Sequence, residues 1–345
     1  MKKKYKYACV GAGGIARSKH IPGYSEIEKV NVLAVSDPNT DAARKTAEKF
    51  DIPEVYSDYT EMFEKVKPDL ISICTPNCLH APVAIEAMKR GIHVHCEKPL
   101  AMNAEEAQKM AEASKVYGRK LMVGLNNRFT NEAQFVKRYA DEGMFGEIYH
   151  ARCGWRRRRG IPGKGGWFTT RSMSGGGPLI DLGVHLIDLA MYFMGNPSPR
   201  SVTGSVYSRF GGANSENAPE KNGKYDVEDM AVGFVKLANG ASVDIEFSWA
   251  SNIEKENNYY ELMGTKGGVC YSEGELKIFS EILNTTIDIK PNIDKRKKVI
   301  DEFTHFIDCI ENDMEPMPSA WQAVDIMKII GGIYCSAETG REVMF

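Results

Sequence analysis

Three residues at helical spacing carry the first chemical signal. Asp181, His185 and Asp188 lie in Gly175-Gly176-Gly177-Pro178-Leu179-Ile180-Asp181-Leu182-Gly183-Val184-His185-Leu186-Ile187-Asp188, where a helix would project all three from one face. Leu182, Ile187, Leu189, Met191 and Tyr192 around them are apolar, so two carboxylates and an imidazole in that setting need partners or a use. An imidazole that titrates near neutrality suits general acid–base work. The plainer alternatives are a helix-capping Asp181 and a satisfied core His185. The i, i+4 pair would also suit a metal, but no third ligand stands out and no metal is expected.

A second constellation points to a nucleotide. Gly11-x-Gly13-x-x-Ala16 falls between a strand and a helix, the context in which such glycines bind a dinucleotide. Gly11 permits the tight turn, Gly13 lets the backbone approach a pyrophosphate, and Ala16 allows close packing of helix on strand. Gly14 and Ile15 open the helix, where free N–H groups and the dipole attract phosphate. Asp37 closes the next strand, near the ~20-residue spacing at which an acid receives the ribose hydroxyls. A carboxylate there repels a 2′-phosphate, so NAD is favoured over NADP. Taken alone, Asp37 would equally suit a cap or turn before Pro38-Asn39.

These groups need a scaffold, and up to about residue 125 short apolar runs alternate with helical stretches. Strands are predicted at 7–10, 30–36, 70–74, 93–96 and 121–124, with helices at 15–27, 40–50, 79–90 and 104–117. Such alternation specifies an α/β Rossmann fold, a doubly wound parallel sheet covered on both faces. After Asn131 the texture becomes α+β: helices at 131–142 and 178–194, and strands at 147–154, 200–210, 227–237 and 241–249, followed by shorter runs at 259–264, 268–272, 275–279 and 285–289. Asn239-Gly240 marks a hairpin. The expected domains are therefore 1–125, binding NAD, and 126–345, an open and mostly antiparallel sheet for substrate and oligomerisation. The closing helices, 298–312 and 319–340, are compatible with packing back on the first domain.

Two further segments follow strand ends: Thr75-Pro76-Asn77-Cys78-Leu79-His80 and Glu97-Lys98-Pro99. Ligands of doubly wound sheets bind beyond the carboxyl ends of the strands, which places both segments beside the nicotinamide. Alone, Glu97-Lys98 would read as a surface pair. Together with the glycine fingerprint, T-P-N-x-x-H and E-K-P resemble the glucose-fructose oxidoreductase / inositol dehydrogenase / MocA (Gfo/Idh/MocA) family. G-G-G-x-x-x-D-x-G-x-H-x-x-D resembles its second signature, and the likeness spans essentially the whole chain. The resemblance implies an NAD-dependent dehydrogenase acting on CH–OH groups. It implies cofactor contacts from Thr75, Pro76, Asn77, His80, Glu97 and Lys98, with Glu97 on the nicotinamide ribose and a cis bond before Pro99. It also implies that Lys98, Asp181 and His185 are catalytic and touch the substrate. Lys98 would donate to the reacting oxygen, Asp181 would bind a neighbouring hydroxyl, and the final proton acceptor stays open between His185 and Lys98.

Arg156-Arg157-Arg158-Arg159 and Gly163-Lys164-Gly165-Gly166-Trp167-Phe168 lie between the signatures. Guanidinium and aromatic groups suit a hydroxyl-rich ring, which makes Arg156 and Trp167 substrate-binding candidates, with Asn126 and Arg128 as weaker ones. A phosphate, a carboxylate, a subunit contact or a solvated loop fits the arginines equally well. The expected substrate is a sugar, sugar derivative or cyclic polyol. The alternatives are NAD-dependent glycoside cleavage by oxidation and elimination, and a non-catalytic sugar or NAD sensor. The formal charge of −2 on 345 residues gives no general attraction to nucleic acid or to anionic membrane. Eight scattered cysteines with no C-x-x-C pair, and no long apolar run, suggest a cytoplasmic protein. A bare sheet face would be covered by a partner, giving a homodimer or homotetramer through the carboxyl-terminal sheet.

Overall fold

A computed structural model describes residues 4–163, 165–211, 223–294 and 299–345. The residues before Lys4, Lys164, most of the segment 211–224 and the first residue of the helix expected at 298–312 lie outside the described residues. The chain divides into two compact units: Met1–Ala101, Glu105–Gly124 and Ile300–Val324 make the first, and Met102–Ala104, Leu125–Val299 and Asp325–Phe345 the second.

The first unit is built on six strands, β1 (Tyr5–Val10), β2 (Val30–Ser36), β3 (Glu54–Tyr56), β4 (Leu70–Ile73), β5 (His93–Cys96) and β6 (Leu121–Val123). They form one sheet in the order β3-β2-β1-β4-β5-β6, with every pair parallel. β4 is buried throughout, as a strand covered on both faces must be. β3 and the helix Tyr59–Val66 were not expected from the sequence: β3 is only three residues long, and the helix is defined by its ends. Asp58 caps it by accepting from the amides of Thr60 and Glu61, and Lys67 ends it with φ 49°. The helix after the glycine turn begins at residue 14 and widens into a π turn over Ala16–His20 before Ile21–Ser25. Pro22, which has no N–H and crowds the carbonyl four residues back, gives that wide turn a physical cause.

The second unit carries β7 (Ile148–Arg156), β8 (Pro199–Tyr207), β9 (Met230–Leu237), β10 (Ser242–Ser248), β11 (Asn257–Gly264), β12 (Gly267–Ser272), β13 (Glu275–Ile282), β14 (Thr285–Ile289) and β15 (Val343–Met344). Their order is β14-β13-β12-β11-β7-β10-β9-β8-β15. All pairs are antiparallel except β7 with β10. Ala151 and Cys153 of β7, Val243, Ile245 and Phe247 of β10, and Tyr260 and Leu262 of β11 are buried on one face of this sheet. The helix Val184–Phe193 packs against that face at β7 and β11. Among the described residues no helix is long and apolar enough to cross a membrane.

Candidate active site

The glycine turn is dictated by a close approach. Gly11 has φ +97°, and a Cβ there would stand 2.4 Å from the Cys74 carbonyl oxygen. Asp37 braces the same turn: its Oδ2 accepts from the Ala12 amide (2.9 Å) and its Oδ1 from the Asn39 amide (2.8 Å). The carboxylate thus fixes the loop, and lone pairs remain on both oxygens for ribose hydroxyls. A Cβ on Gly13 or Gly14 would meet nothing within 4 Å, leaving room for a pyrophosphate at the helix start. Ile15 there is 39% exposed. The Thr75 hydroxyl is buried with no protein hydrogen-bond partner among the described residues, a polar atom that a ribose or amide could satisfy. These features fit a bound dinucleotide.

The segments after β4 and β5 are tied together by one side chain. His80 is fully buried, with Nδ1 2.7 Å from the Pro99 carbonyl and Nε2 3.1 Å from that of Thr75. Burial pushes its basicity down, despite the two carbonyls and Glu97. Expected as a cofactor contact, His80 is a clamp between the two loops that hold Thr75, Pro76, Asn77 and Lys98. The Lys98–Pro99 peptide is cis. Glu97 accepts from the Lys98 amide (3.1 Å), and between buried 94–97 and 99–101 only Lys98 is partly exposed.

The second signature repeats that pattern. From 176 to 193 every residue is buried except Asp181 and His185. The glycines before them are required by contact: a Cβ on Gly176 would sit 2.1 Å from the Tyr334 hydroxyl, and one on Gly177 would sit 2.0 Å from the Glu228 carbonyl oxygen. Glu228 accepts from the amides of Gly177 (2.9 Å) and Leu179 (3.2 Å) and from the Tyr334 hydroxyl (2.8 Å), so it caps the helix entry. Burial raises its proton affinity in spite of these donors. Asp181 lies in a π turn, Leu179–Gly183, and accepts from Trp249 Nε1 (3.1 Å). The fully buried Trp249 thereby orients a half-buried carboxylate.

Three expectations need revision. Asp188 does not share the surface of Asp181 and His185: it is 1% exposed and takes two bonds from Arg128, at 2.7 and 2.8 Å. Arg128, expected on the substrate side, is equally buried, paired with Asp188 and stacked on Tyr192 at 4.4 Å. Arg156 lies on the sheet face opposite the helix, because strand alternation groups it with Arg152 rather than with Ala151 and Cys153. Its guanidinium meets Glu246 (3.7 Å) and the Tyr259 ring. Trp167 stacks on Phe168 with centroids 3.8 Å apart and stays partly exposed.

Residues 5–125 match the family described as "Oxidoreductase family, NAD-binding Rossmann fold", and 133–270 match the "GFO/IDH/MocA C-terminal domain". D-glucoside 3-dehydrogenase of Escherichia coli (strain K12) is 31% identical over 346 residues, covering 98% of this chain and 97% of that protein. The chain belongs to the Gfo/Idh/MocA family. It is an oxidoreductase with NAD as its cofactor. Levoglucosan dehydrogenase of Pseudarthrobacter phenanthrenivorans is 30% identical over 253 residues, 69% of this chain and 64% of that one. A solved levoglucosan dehydrogenase, in complex with NADH and L-sorbose, shares the fold with TM-score 0.86 at 22% identity over 99% of each chain. In this oxidoreductase Glu228 and Trp249 escaped the sequence reading, since neither stands at a fixed spacing from the residues it supports.

Proposed function

We propose that this oxidoreductase removes hydride from the ring carbon that bears a secondary hydroxyl in a sugar, sugar derivative or cyclic polyol, with D-glucosides the first class to test. The observation that carries the reading is the exposure pattern: Lys98, Asp181 and His185 are the partly exposed side chains in two otherwise buried runs. A titratable side chain left reachable in an otherwise buried run supports a functional use for it. NAD, when bound, supplies the carbon that accepts the hydride. As the C–H bond breaks, the hydroxyl proton leaves to His185, the natural base at neutral pH, while the Lys98 ammonium stabilises the developing alkoxide. Asp181, oriented by Trp249, accepts from a neighbouring hydroxyl and fixes the ring. Trp167 offers an aromatic face to the C–H side of the ring.

NADH formation across D-glucosides, hexoses and inositols tests the reading, with aryl glycosides alongside. Net NADH supports it. Cleavage of aryl glycosides without net NADH points instead to oxidation and elimination, and binding without turnover to a sensor. Lys98→Met should lower kcat by at least ~100-fold while NADH still binds; an active variant would remove lysine from the mechanism. Asp37→Ser should weaken NAD more than NADP, and it should also loosen the turn that Asp37 braces. We further propose that the sheet face bearing Arg152 and Arg156 is where two copies meet, to be checked by sedimentation of the full chain.

A further inference from the structure

Behind Glu97 lies a set of buried polar side chains that the reaction does not use directly. His20, on the helix after the glycine turn, has no exposed surface. Its Nε2 is 2.7 Å from Glu97 Oε1 and its Nδ1 is 2.9 Å from the Ser72 hydroxyl. The other carboxylate oxygen of Glu97 accepts from the Lys98 amide at 3.1 Å. Gly124 opposite leaves room for this arrangement, since a Cβ there would stand only 3.3 Å from Oε1. Glu97 is therefore gripped on both oxygens, with a tenth of its side chain reaching the surface.

Around this grip sits a second tier. The His95 ring lies 4.7 Å from that of His20, its Nδ1 2.9 Å from the Tyr24 hydroxyl and its Nε2 3.2 Å from Glu302. Glu302 also pairs with Lys19 at 2.8 Å. Burial drives the basicity of His95 down to about 4, so it is neutral at pH 7, with Nε2 facing Glu302 and Nδ1 facing the Tyr24 hydroxyl. The Glu302 carboxylate thus lies against Lys19 and His95, and that of Glu97 against His20. Phe303 closes the set edge-on against His20.

We propose that His20 is a positioning residue that holds the Glu97 carboxylate in place for the nicotinamide half of the cofactor. The proposal rests on the reading of Glu97 as the contact to the nicotinamide ribose. A buried carboxylate bound at only one oxygen can swing about its terminal bond, whereas one fixed at both oxygens presents a constant edge to a ligand hydroxyl. His20→Leu would release that edge without touching Asp37 or the glycine turn. His20→Gln would keep an N–H donor where Nε2 stands.

The test compares NADH with ADP-ribose, which lacks the nicotinamide, by titrating the full-length protein. For His20→Leu the expected result is an about tenfold loss of NADH affinity with ADP-ribose binding unchanged, and for His20→Gln recovery to within about threefold of the parent. Equal loss of both ligands, or identical behaviour of the leucine and glutamine variants, overturns the proposal. Should His20→Leu fail to fold, Ser72→Ala replaces it, with a two- to threefold NADH-selective loss expected; no loss overturns the assignment. Glu97→Gln separates the two ideas. If it leaves NADH binding intact, the reading of Glu97 itself fails. If it weakens NADH while His20→Leu does not, only the role of His20 fails.

Discussion

Glu97 and Asp188 both come from signature motifs, both are buried and both face a basic side chain, yet their proton affinities move in opposite directions. Burial raises each. At Glu97 it is outweighed by the His20 hydrogen bond and by the contributions of His20, Lys19 and Lys98, so the acid is pulled well below its usual range. At Asp188 burial prevails over Arg128, and the affinity rises. The contrast extends to their neighbours: Glu302 falls to about 2 against its burial, through His95 and Lys19, whereas burial raises Glu228. One guanidinium at Asp188, or uncharged donors alone at Glu228, do not offset full desolvation, while the imidazole and lysine neighbours of Glu97 and Glu302 together do. The first unit therefore folds around carboxylates held charged, and the second around carboxylates that burial pushes toward the neutral form.

The sharpest way to break this contrast is to remove a partner. Arg128→Met should cost the second unit about 3–5 kcal/mol at pH 7 by stranding Asp188, and less as the pH is lowered, since burial already raises the proton affinity of that acid. Arg128→Met combined with Asp188→Leu should recover most of the loss, measured by urea unfolding. A single variant as stable as the parent would mean the pair contributes nothing.

The next largest effect is acid sensitivity. His95 is neutral in the folded state down to about pH 4, so below its ordinary 6.5 the unfolded chain gains protons first and stability falls, by on the order of 3 kcal/mol in all. The lowered Glu302 adds a loss as pH drops below 4.5 toward 2. Asp188 and Glu228, being raised, act in the other sense and favour the fold as pH falls toward their range. Hydrogen exchange, corrected for its intrinsic rate, should show β1 and β5 loosening between pH 7 and 4 while the helix Val184–Phe193 holds. Parallel loosening of both would contradict the distinction. Glu302→Gln, at a cost of about 2 kcal/mol, should abolish the loss below pH 4.5 and deepen the one above it, because the Glu302 carboxylate partly sustains the basicity of His95.

What the sequence disclosed follows from range. The glycine fingerprint, the four-residue spacing of Asp181 and His185 and the strand-helix alternation are local patterns, readable because the backbone period dictates them. His20 with Glu97, His95 with Glu302 and Arg128 with Asp188 are joined only by the folded chain, across separations that no window of sequence contains. Asp188 illustrates the limit: its spacing put it on the face of His185, but tertiary packing turned it to Arg128. Arg156 was misplaced for a related reason, because a run of four arginines conceals the strand alternation that sends alternate side chains to opposite faces.

Two glycines give the finest test of the same contrast between residues that fold the chain and residues that serve a ligand. A methyl on Gly177 would lie 2.0 Å from a backbone oxygen of Glu228 that has nowhere to go, so Gly177→Ala should cost about 1–3 kcal/mol and shift the entry of the helix bearing Asp181 and His185. A methyl on Gly13 meets nothing within 4 Å, so Gly13→Ala should change stability by under ~0.5 kcal/mol. Its effect should fall instead on NADH, through the space the pyrophosphate requires. Thermal melting separates the two variants, and NADH titration of Gly13→Ala decides the assignment: undiminished affinity would mean that the phosphates lie elsewhere than over this turn.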